Sequence, residues 1–302
     1  MRAIVCTKYG PPNVLQLREV HKPSPRDREL LVKIRATTVT SSDCIVRGFK
    51  LPLPMWIPAR IALGLRGPRK AILGVELAGE IEAIGRSVER FRVGDRIFAF
   101  TGLSGFGAYA EYRCLPEDGM LAAIPAEVTY EEIAATTFAF LALHFLKKGN
   151  VQRGHKVLVY GASGAAGTYA VQLARYLGAE VTGVCSSANS DLVRSLGAGE
   201  VIDYAKEDFA ERGERYDVIF DAVGKTSRST CKKALTQQGT YISVNQGNPR
   251  PRVEDLALLM KLVETKQIRS VIDRRYFLEE IPEAHRYVEE GHKKGNVVVT
   301  VP

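Results

Sequence analysis

Lys156–Gly167 reads KVLVYGASGAAG. Val157–Tyr160 is a short β-forming run. It passes without a spacer into Gly161, Ala162, Ser163, Gly164, Ala165, Ala166 and Gly167. A helical pattern then follows at Tyr169, Val171, Leu173, Ala174 and Leu177. Strand, glycine turn and helix, in that order, is the setting a dinucleotide fingerprint needs. Ala162-x-Gly164-x-x-Gly167 matches G-x-G-x-x-G with alanine in the first place. In such a turn Gly164 lets the backbone approach a pyrophosphate and Gly167 lets helix and strand pack closely. The residues from Ser163 to Ala166 bring free N–H groups to the positive end of the helix. A turn that only connects is the plainer reading, and the strand and helix on either side argue against it.

The next strand bears on which dinucleotide is bound. Glu180–Cys185 is its β pattern, and Ser186, Ser187, Ala188, Asn189 and Ser190 follow. About 20 residues past the fingerprint, an NAD site places Asp or Glu on the ribose 2′-hydroxyl. Here no carboxylate occurs before Asp191. A carboxylate would repel a 2′-phosphate, whereas the side chains of Ser186, Ser187 and Asn189 can donate to one. The loop favours NADPH over NADH, although the usual arginine or lysine is missing from it. The plainer reading has Asn189 or Ser190 capping the helix that starts near Leu192.

With 302 residues the chain has room for one large or two ordinary domains. An apolar share of 45% and a charged share of 25% are those of a globular protein with a sizeable core. The net charge of +8 suits an anionic ligand but says little about specific nucleic-acid binding. Cysteines 6, 44, 114, 185 and 231 are odd in number and form no C-x-x-C, which argues against a disulfide framework or a zinc ribbon and for a reducing compartment. The N-terminus reads as a first strand, not a secretory signal, and no apolar run approaches a membrane span. A cytoplasmic protein with a small-molecule substrate and no specific nucleic-acid partner is expected.

Residues 1–115 read as all-β, with short strands at 2–7, 14–20, 29–38, 78–84, 96–99 and 108–114. Thr129 and Glu132 form a capping-box spacing at the start of a helix, and a second helix runs to Lys148. Strands then alternate with helices: 156–160, 180–185, 201–202, 216–221 and 239–244, with helices at 190–196 and 226–235 among them. That is the pattern of a parallel doubly wound sheet. After a helix at 254–264, the tail returns to β at 271–276 and 296–301, around a helix at 279–290. The tail matches the first domain in type, so the expected division is 1–122 with 266–302, interrupted by a cofactor domain at 123–265.

Five stretches together resemble the medium-chain dehydrogenase/reductase superfamily, on its zinc-free, zeta-crystallin-like quinone oxidoreductase side. They are AIVCTKYGPPNVLQLREV near the start, GVELAGEIEAIGRSVERFRVGDRIFAF from Gly74, GAYAEY at 107–112, the fingerprint, and SLGAGEVIDY at 195–204. The resemblance covers nearly the whole chain. It implies a GroES-like catalytic domain, a Rossmann domain, and a cleft between them for the nicotinamide. It also implies cofactor contacts at Thr137, Val223, Gly224 and Val244, with Tyr204 and Lys293 near the 2′-phosphate.

Zinc members carry a cysteine before a Ser/Thr-Asp pair, a GHE motif and a further cysteine or aspartate. Matched residue by residue, this chain has Thr40 before Ser41-Ser42-Asp43, Gly74-Val75-Glu76, and approximately Thr136. Hydroxyls and a valine replace the thiolate and imidazole, so no zinc is expected. Hydride chemistry on a polarised alkene or quinone remains, with the cofactor carrying the reaction. Thr40, Ser42 and Asp43 are the candidate catalytic residues. Thr40 and Ser42 would donate to the substrate oxygen, or else be satisfied loop hydroxyls. For Asp43 an ion pair with Arg47 one helical turn later is favoured over acid–base work. Tyr109 and Tyr112 read as sharing one strand face and packing in the core, and His144 reads as a core or capping histidine.

Cys44–Val75 carries Arg47, Lys50, Arg60, Arg66, Arg69 and Lys70 and no acid, interleaved with apolar residues and three prolines. It reads either as a basic, apolar flap over the substrate cleft, touching a membrane surface or an acyl substrate, or as a solvated loop and short helix packed on the first domain. The prolines favour packing. After the fifth Rossmann strand, Asn245–Pro251 is short and polar where the resembled family has an apolar helix and a further strand that usually joins the dimer. The sheet is expected to be shortened, and the chain to be a monomer or a dimer through another surface. An NADPH-dependent quinone or α,β-unsaturated carbonyl reductase is the leading expectation. An enoyl-thioester reductase, or a cofactor-binding protein with little turnover and an RNA-binding role, are the alternatives.

Overall fold

The computed structural model describes residues 1–247 and 252–302. From the N-terminus the chain forms β1 (Arg2–Cys6), β2 (Leu15–Glu19), β3 (Glu29–Val39), α1 (Ser41–Gly48), α2 (Trp56–Leu63), β4 (Glu76–Ile84), β5 (Arg96–Phe100), the single turn α3 (Gly102–Gly105), β6 (Tyr112–Pro116), β7 (Leu121–Ala123) and α4 (Tyr130–Ala134). There follow α5 (Thr137–Lys148), β8 (Lys156–Tyr160), α6 (Ala165–Tyr176), β9 (Glu180–Cys185), α7 (Ser190–Ser195), β10 (Glu200–Asp203), β11 (Tyr216–Asp221), α8 (Arg228–Cys231), β12 (Leu235–Ser243) and α9 (Val253–Glu264). The tail is β13 (Ile272–Phe277), α10 (Ile281–Glu289) and β14 (Asn296–Thr300).

Two compact units result. Met1–Ala135 with Ile272–Pro302 is one, and Thr136–Val271 is the other. The divisions fall later than residues 122 and 265. The reason is α4, whose capping box at Thr129 and Glu132 forms as the spacing predicts, and which packs on β3, β4 and β14 of the first unit.

The first unit is built on a seven-stranded sheet in the order β13-β14-β3-β4-β5-β7, with β6 also paired to β3 and a separate β1–β2 ribbon. Its core draws on alternate positions of the long strands, such as Leu30, Val32 and Ile34, all fully buried. Two helices, α1 and α2, interrupt what the sequence presents as an all-β half. Tyr109 and Tyr112 do not share a face: they are three residues apart, and a strand repeats every two. Tyr109 is fully buried ahead of β6, whereas Tyr112 begins β6 half-buried, with the Lys22 ammonium 3.8 Å above its ring.

The second unit is a parallel five-stranded sheet in the order β10-β9-β8-β11-β12. Val157, Leu158 and Val159 in the central strand are all 0% exposed, as a strand covered on both faces requires. Each such burial contributes about 1.5–3 kcal/mol. Among the described residues β12 lies at the edge, longer than the 239–244 strand expected, and the 226–235 helix shrinks to α8 plus a 3₁₀ turn. Residues 248–251 of the expected short connection lie outside the described residues. No described helix is long and apolar enough to cross a membrane.

Candidate functional site

In the Rossmann-type unit, chain order reverses between β8 and β11, the place where such sheets bind nucleotides at the strand carboxyl ends. The fingerprint turn sits there. Gly161 takes the positive φ of +79° that the turn demands of its first residue. Ala162, aligned with the first motif glycine, is fully buried, and its N–H donates to Val184 O at 2.9 Å. A Cβ on Gly167 would stand 2.1 Å from Gly161 O, so glycine is needed where α6 crosses the turn. A Cβ on Gly164 would meet only Gly161 O at 3.4 Å, which leaves the outer side of the turn open. Gly164 is the N-cap of α6 and offers no side-chain cap, so the first-turn N–H groups of Ala165 and Ala166 are left uncapped by any side chain.

Three of the predicted polar residues come together. Asn189 Nδ2 donates to Ser163 Oγ at 3.1 Å and to Ser186 Oγ at 3.2 Å, tying the β9–α7 loop to the fingerprint turn. Val223 packs against Gly161, and Asn245 Nδ2 donates to Gly224 O at 3.2 Å. Val244 follows β12, its N–H donating to Asp221 O. The Thr137 hydroxyl at the start of α5 is buried without a hydrogen-bond partner. A cavity of about 570 Å³ opens beside Tyr160, Tyr204, Gly224 and Lys225. The open turn fits a dinucleotide pyrophosphate; the cavity adjoins the expected contacts Tyr204 and Gly224 but none of the residues from Gly161 to Gly167.

Two carboxylates here were missed from the sequence. Asp221 is fully buried and accepts from the N–H groups of Val223, Gly224, Lys225 and Thr226 at 2.8–3.3 Å, shaping the loop after β11. Asp203 ends β10 level with Cys185 of β9. It accepts from the N–H of Ala205 and from Ser187, and these bonds hold its carboxyl below the usual range. The loop after β9 lacks an acid in sequence yet has one beside Ser187 in space. The Asp at the end of each strand was the available signal. For Asp203 its force depends on strand pairing.

Lys293 and the three catalytic candidates belong to the other unit. Lys293 Nζ donates to Gly295 O at 2.6 Å. Burial lowers its pKa to about 8, opposed by the charges of Asp273, Cys44 and Glu76. Thr40 caps α1: its hydroxyl donates to Asp43 Oδ2 at 2.6 Å and accepts from the Asp43 N–H at 3.2 Å, and the Asp43 carboxylate accepts in return from the Thr40 N–H. Ser42 is exposed on the first turn. Asp43 is fully buried. Burial pushes its carboxyl up to about 6, opposed chiefly by the hydrogen bonds from the Thr40 hydroxyl and N–H.

The expected Asp43–Arg47 ion pair does not form. A residue at the third position of a capped helix curls back to its cap. Arg47, fully buried, places Nη2 2.6 Å from Glu289 Oε1 and donates through Nε to His285 Nδ1 at 3.3 Å, both on α10. Burial, with the Arg47 charge beside it, lowers the His285 pKa to about 3 and holds the ring neutral. The Cys44 thiol lies 3.4 Å from the same ring nitrogen and is pushed up to about 12 by burial. His144 is half-buried on α5, its ring edge-on to Phe145, as a packing histidine.

At the positions matched to zinc ligands, Thr40 is engaged with Asp43, and Val75 is a buried apolar residue. Among the described residues no three His, Cys, Asp or Glu side chains converge. The donor set does not fit zinc, which takes thiolate, imidazole or carboxylate.

Family models for the alcohol dehydrogenase GroES-like domain and the zinc-binding dehydrogenase match residues 26–126 and 165–290. The quinone-oxidoreductase homolog of Spinacia oleracea is 30% identical, over 99% of this chain and 98% of its own. The chain belongs to the medium-chain dehydrogenase/reductase superfamily. Within that superfamily it lies on the quinone oxidoreductase side and is an oxidoreductase. The NADPH-dependent alkenal/one oxidoreductase of Arabidopsis thaliana is 26% identical over 99% of this chain and 79% of its own. The quinone oxidoreductase structure from Coxiella burnetii superposes with a TM-score of 0.84 at 25% identity, covering 100% and 99% of the two chains. The spinach alignment runs to 336 positions against 302 residues here, so that family member carries residues this chain lacks.

Proposed function

We propose that the protein is an NADPH-dependent reductase of quinones or α,β-unsaturated carbonyl compounds that works without zinc. One observation carries the reading: the α1 N-terminus presents hydroxyls and a buried carboxyl, with Val75 in place of an imidazole. Without a metal to acidify an alcohol, the remaining chemistry is addition to an already polarised double bond. The relatives named for quinones and alkenals support the same class, and they do not favour the enoyl-thioester or RNA-binding alternatives.

NADPH, when bound, supplies the hydride. The fingerprint turn from Ser163 to Gly167 would hold the pyrophosphate, and Ser186, Ser187, Asn189 and Tyr204 the 2′-phosphate, with Thr137, Val223, Gly224 and Val244 lining the remainder. Hydride arriving at the β-carbon leaves negative charge on the substrate oxygen, which needs a donor. Ser42 is exposed and free to give one. Thr40 has a single hydroxyl hydrogen, and an ionised Asp43 holds it. Once Asp43 is protonated that hydrogen can turn outward. Water supplies the final proton.

NADPH oxidation against a panel of ortho-quinones, enones, enals and enoyl-CoAs, before and after dialysis against a strong chelator, tests this. Turnover of quinones or enones, unchanged by chelation, is expected. Turnover of enoyl-CoAs alone, or activity lost with a stoichiometric metal, overturns it.

A further inference from the structure

The Cys44–Val75 segment packs on the first unit at its two ends, where Cys44, Val46, Phe49, Leu73 and Val75 are buried, but its middle stands out. Pro58 falls in the first turn of α2, where a missing N–H costs nothing. The helix is anchored on one side only. The Trp56 ring stands edge-on to Phe49 at 5.8 Å, and its Nε1 donates to Leu51 O at 2.8 Å. The Arg60 guanidinium lies 4.1 Å over Phe49 and 4.8 Å over Tyr9, the Tyr9 hydroxyl donates to Gly64 O at 2.9 Å, and Leu63 turns to the core. These contacts fix the orientation of α2.

The opposite face is bare. Leu53 is 79% exposed, Ile57 75%, Ile61 61% and Leu65 72%. Ile57 and Ile61 are one helical turn apart and form a continuous ridge. Monomeric proteins seldom leave aliphatic residues clustered this way without a partner.

Charge identifies that partner. Of the segment's six cations, Arg47 and Lys50 are paired with Glu289 and Arg60 is stacked on aromatic rings. Arg66, Arg69 and Lys70, just past the ridge, are exposed and pair with no carboxylate among the described residues. No acidic residue occurs from Cys44 to Val75. A second copy meeting this face through a two-fold axis would set like charges together in a chain of net charge +8. Protein interfaces also favour aromatic cores over an aliphatic ridge. An aliphatic ridge followed by unpaired cations combines the two attractions, apolar burial and charge, that hold a segment on anionic lipid. We propose that α2 and the turn after it dock the protein on anionic membrane surfaces, with Leu53, Ile57, Ile61 and Leu65 entering the headgroup–acyl boundary and Arg66, Arg69 and Lys70 meeting lipid phosphates.

Trp56, the chain's only tryptophan, lies at the start of α2 next to Ile57 and is 44% exposed, so its emission senses a change in the surroundings of this helix. The full-length protein is mixed with vesicles of phosphatidylcholine alone or of phosphatidylcholine with phosphatidylserine, followed by Trp56 emission and co-sedimentation. Expected are binding and a blue shift with phosphatidylserine vesicles only, both weakened by high salt. Each cation near an anionic surface is worth about fivefold in binding. Arg66→Gln/Arg69→Gln/Lys70→Gln should therefore reduce partitioning on the order of a hundredfold, and Ile57→Ser/Ile61→Ser should abolish the blue shift. Both variants change exposed positions and should keep the parent melting temperature. The proposal is overturned by absence of phosphatidylserine-dependent binding, by binding insensitive to both variants, or by concentration-dependent self-association that Ile57→Ser/Ile61→Ser removes while vesicles stay unbound.

Discussion

Replacing Asp43 by Asn should remove a pH dependence that the buried carboxyl imposes on the first unit. Asp43 is fully buried with its pKa raised from 3.8 to about 6 by desolvation. The unfolded carboxyl releases its proton near 3.8, whereas the folded one keeps it to about 6. Between those values the folded state binds more protons, so stability falls as pH rises, and the loss is complete above about 6. A shift of about two units corresponds to about 3 kcal/mol. In Asp43→Asn the side-chain carbonyl still accepts from the Thr40 N–H and no charge is buried. The wild-type minus variant difference should therefore drop by about 2.4 kcal/mol between pH 4 and 7. Urea unfolding followed by Trp56, which lies in the same unit, measures that difference, and a ¹³C titration of the Asp43 carboxyl reads its midpoint directly. Thr40→Val, which removes a hydroxyl that donates to the ionised carboxylate, should move the midpoint upward. A midpoint near the ordinary value of about 4, or a difference that stays flat with pH, would refute the reasoning.

Cofactor choice and assembly give two further tests. Ser186→Asp places a carboxylate beside Asn189 and Ser163, and should lower NADPH affinity by at least about tenfold while sparing NADH; fluorescence titration decides it, and tighter NADH binding by the parent protein would defeat the NADPH assignment. With β12 at the sheet edge among the described residues, light scattering coupled to gel filtration should give the 33.2 kDa monomer or a dimer through another surface. A tight dimer with a sheet continuous through β12 would show that the missing strand was misread.

The fold was legible where the signal is local. The fingerprint turn is twelve consecutive residues, and its strand, glycines and helix appear in place because each is set by neighbours a few positions away. Even there the sequence alignment put alanine in the first motif position, while the chain gives the strained conformation to Gly161 and buries Ala162. The Thr129–Glu132 box could be read for the same reason. A return of the tail to the first unit followed from strand type alone, but the boundary at Ala135 depends on α4 packing against three strands distant in sequence.

What stayed hidden was decided by partners far along the chain. Arg47 looks like the partner of Asp43 because four residues separate them on a helix. Its charge instead meets Glu289, brought in by α10 from the far end of the sequence. Asp203 reaches Ser187 only because β10 pairs in register with β9, so a loop without an acid in sequence acquires one in space. That proximity sharpens the cofactor question. Asp203 accepts from the Ala205 N–H and from Ser187, bonds that keep it ionised and fix it at the end of β10. On the proposed NADPH reading, Ser186 and Asn189 would hold the 2′-phosphate on the fingerprint side of the loop, and a carboxylate introduced at Ser186 would stand directly against it.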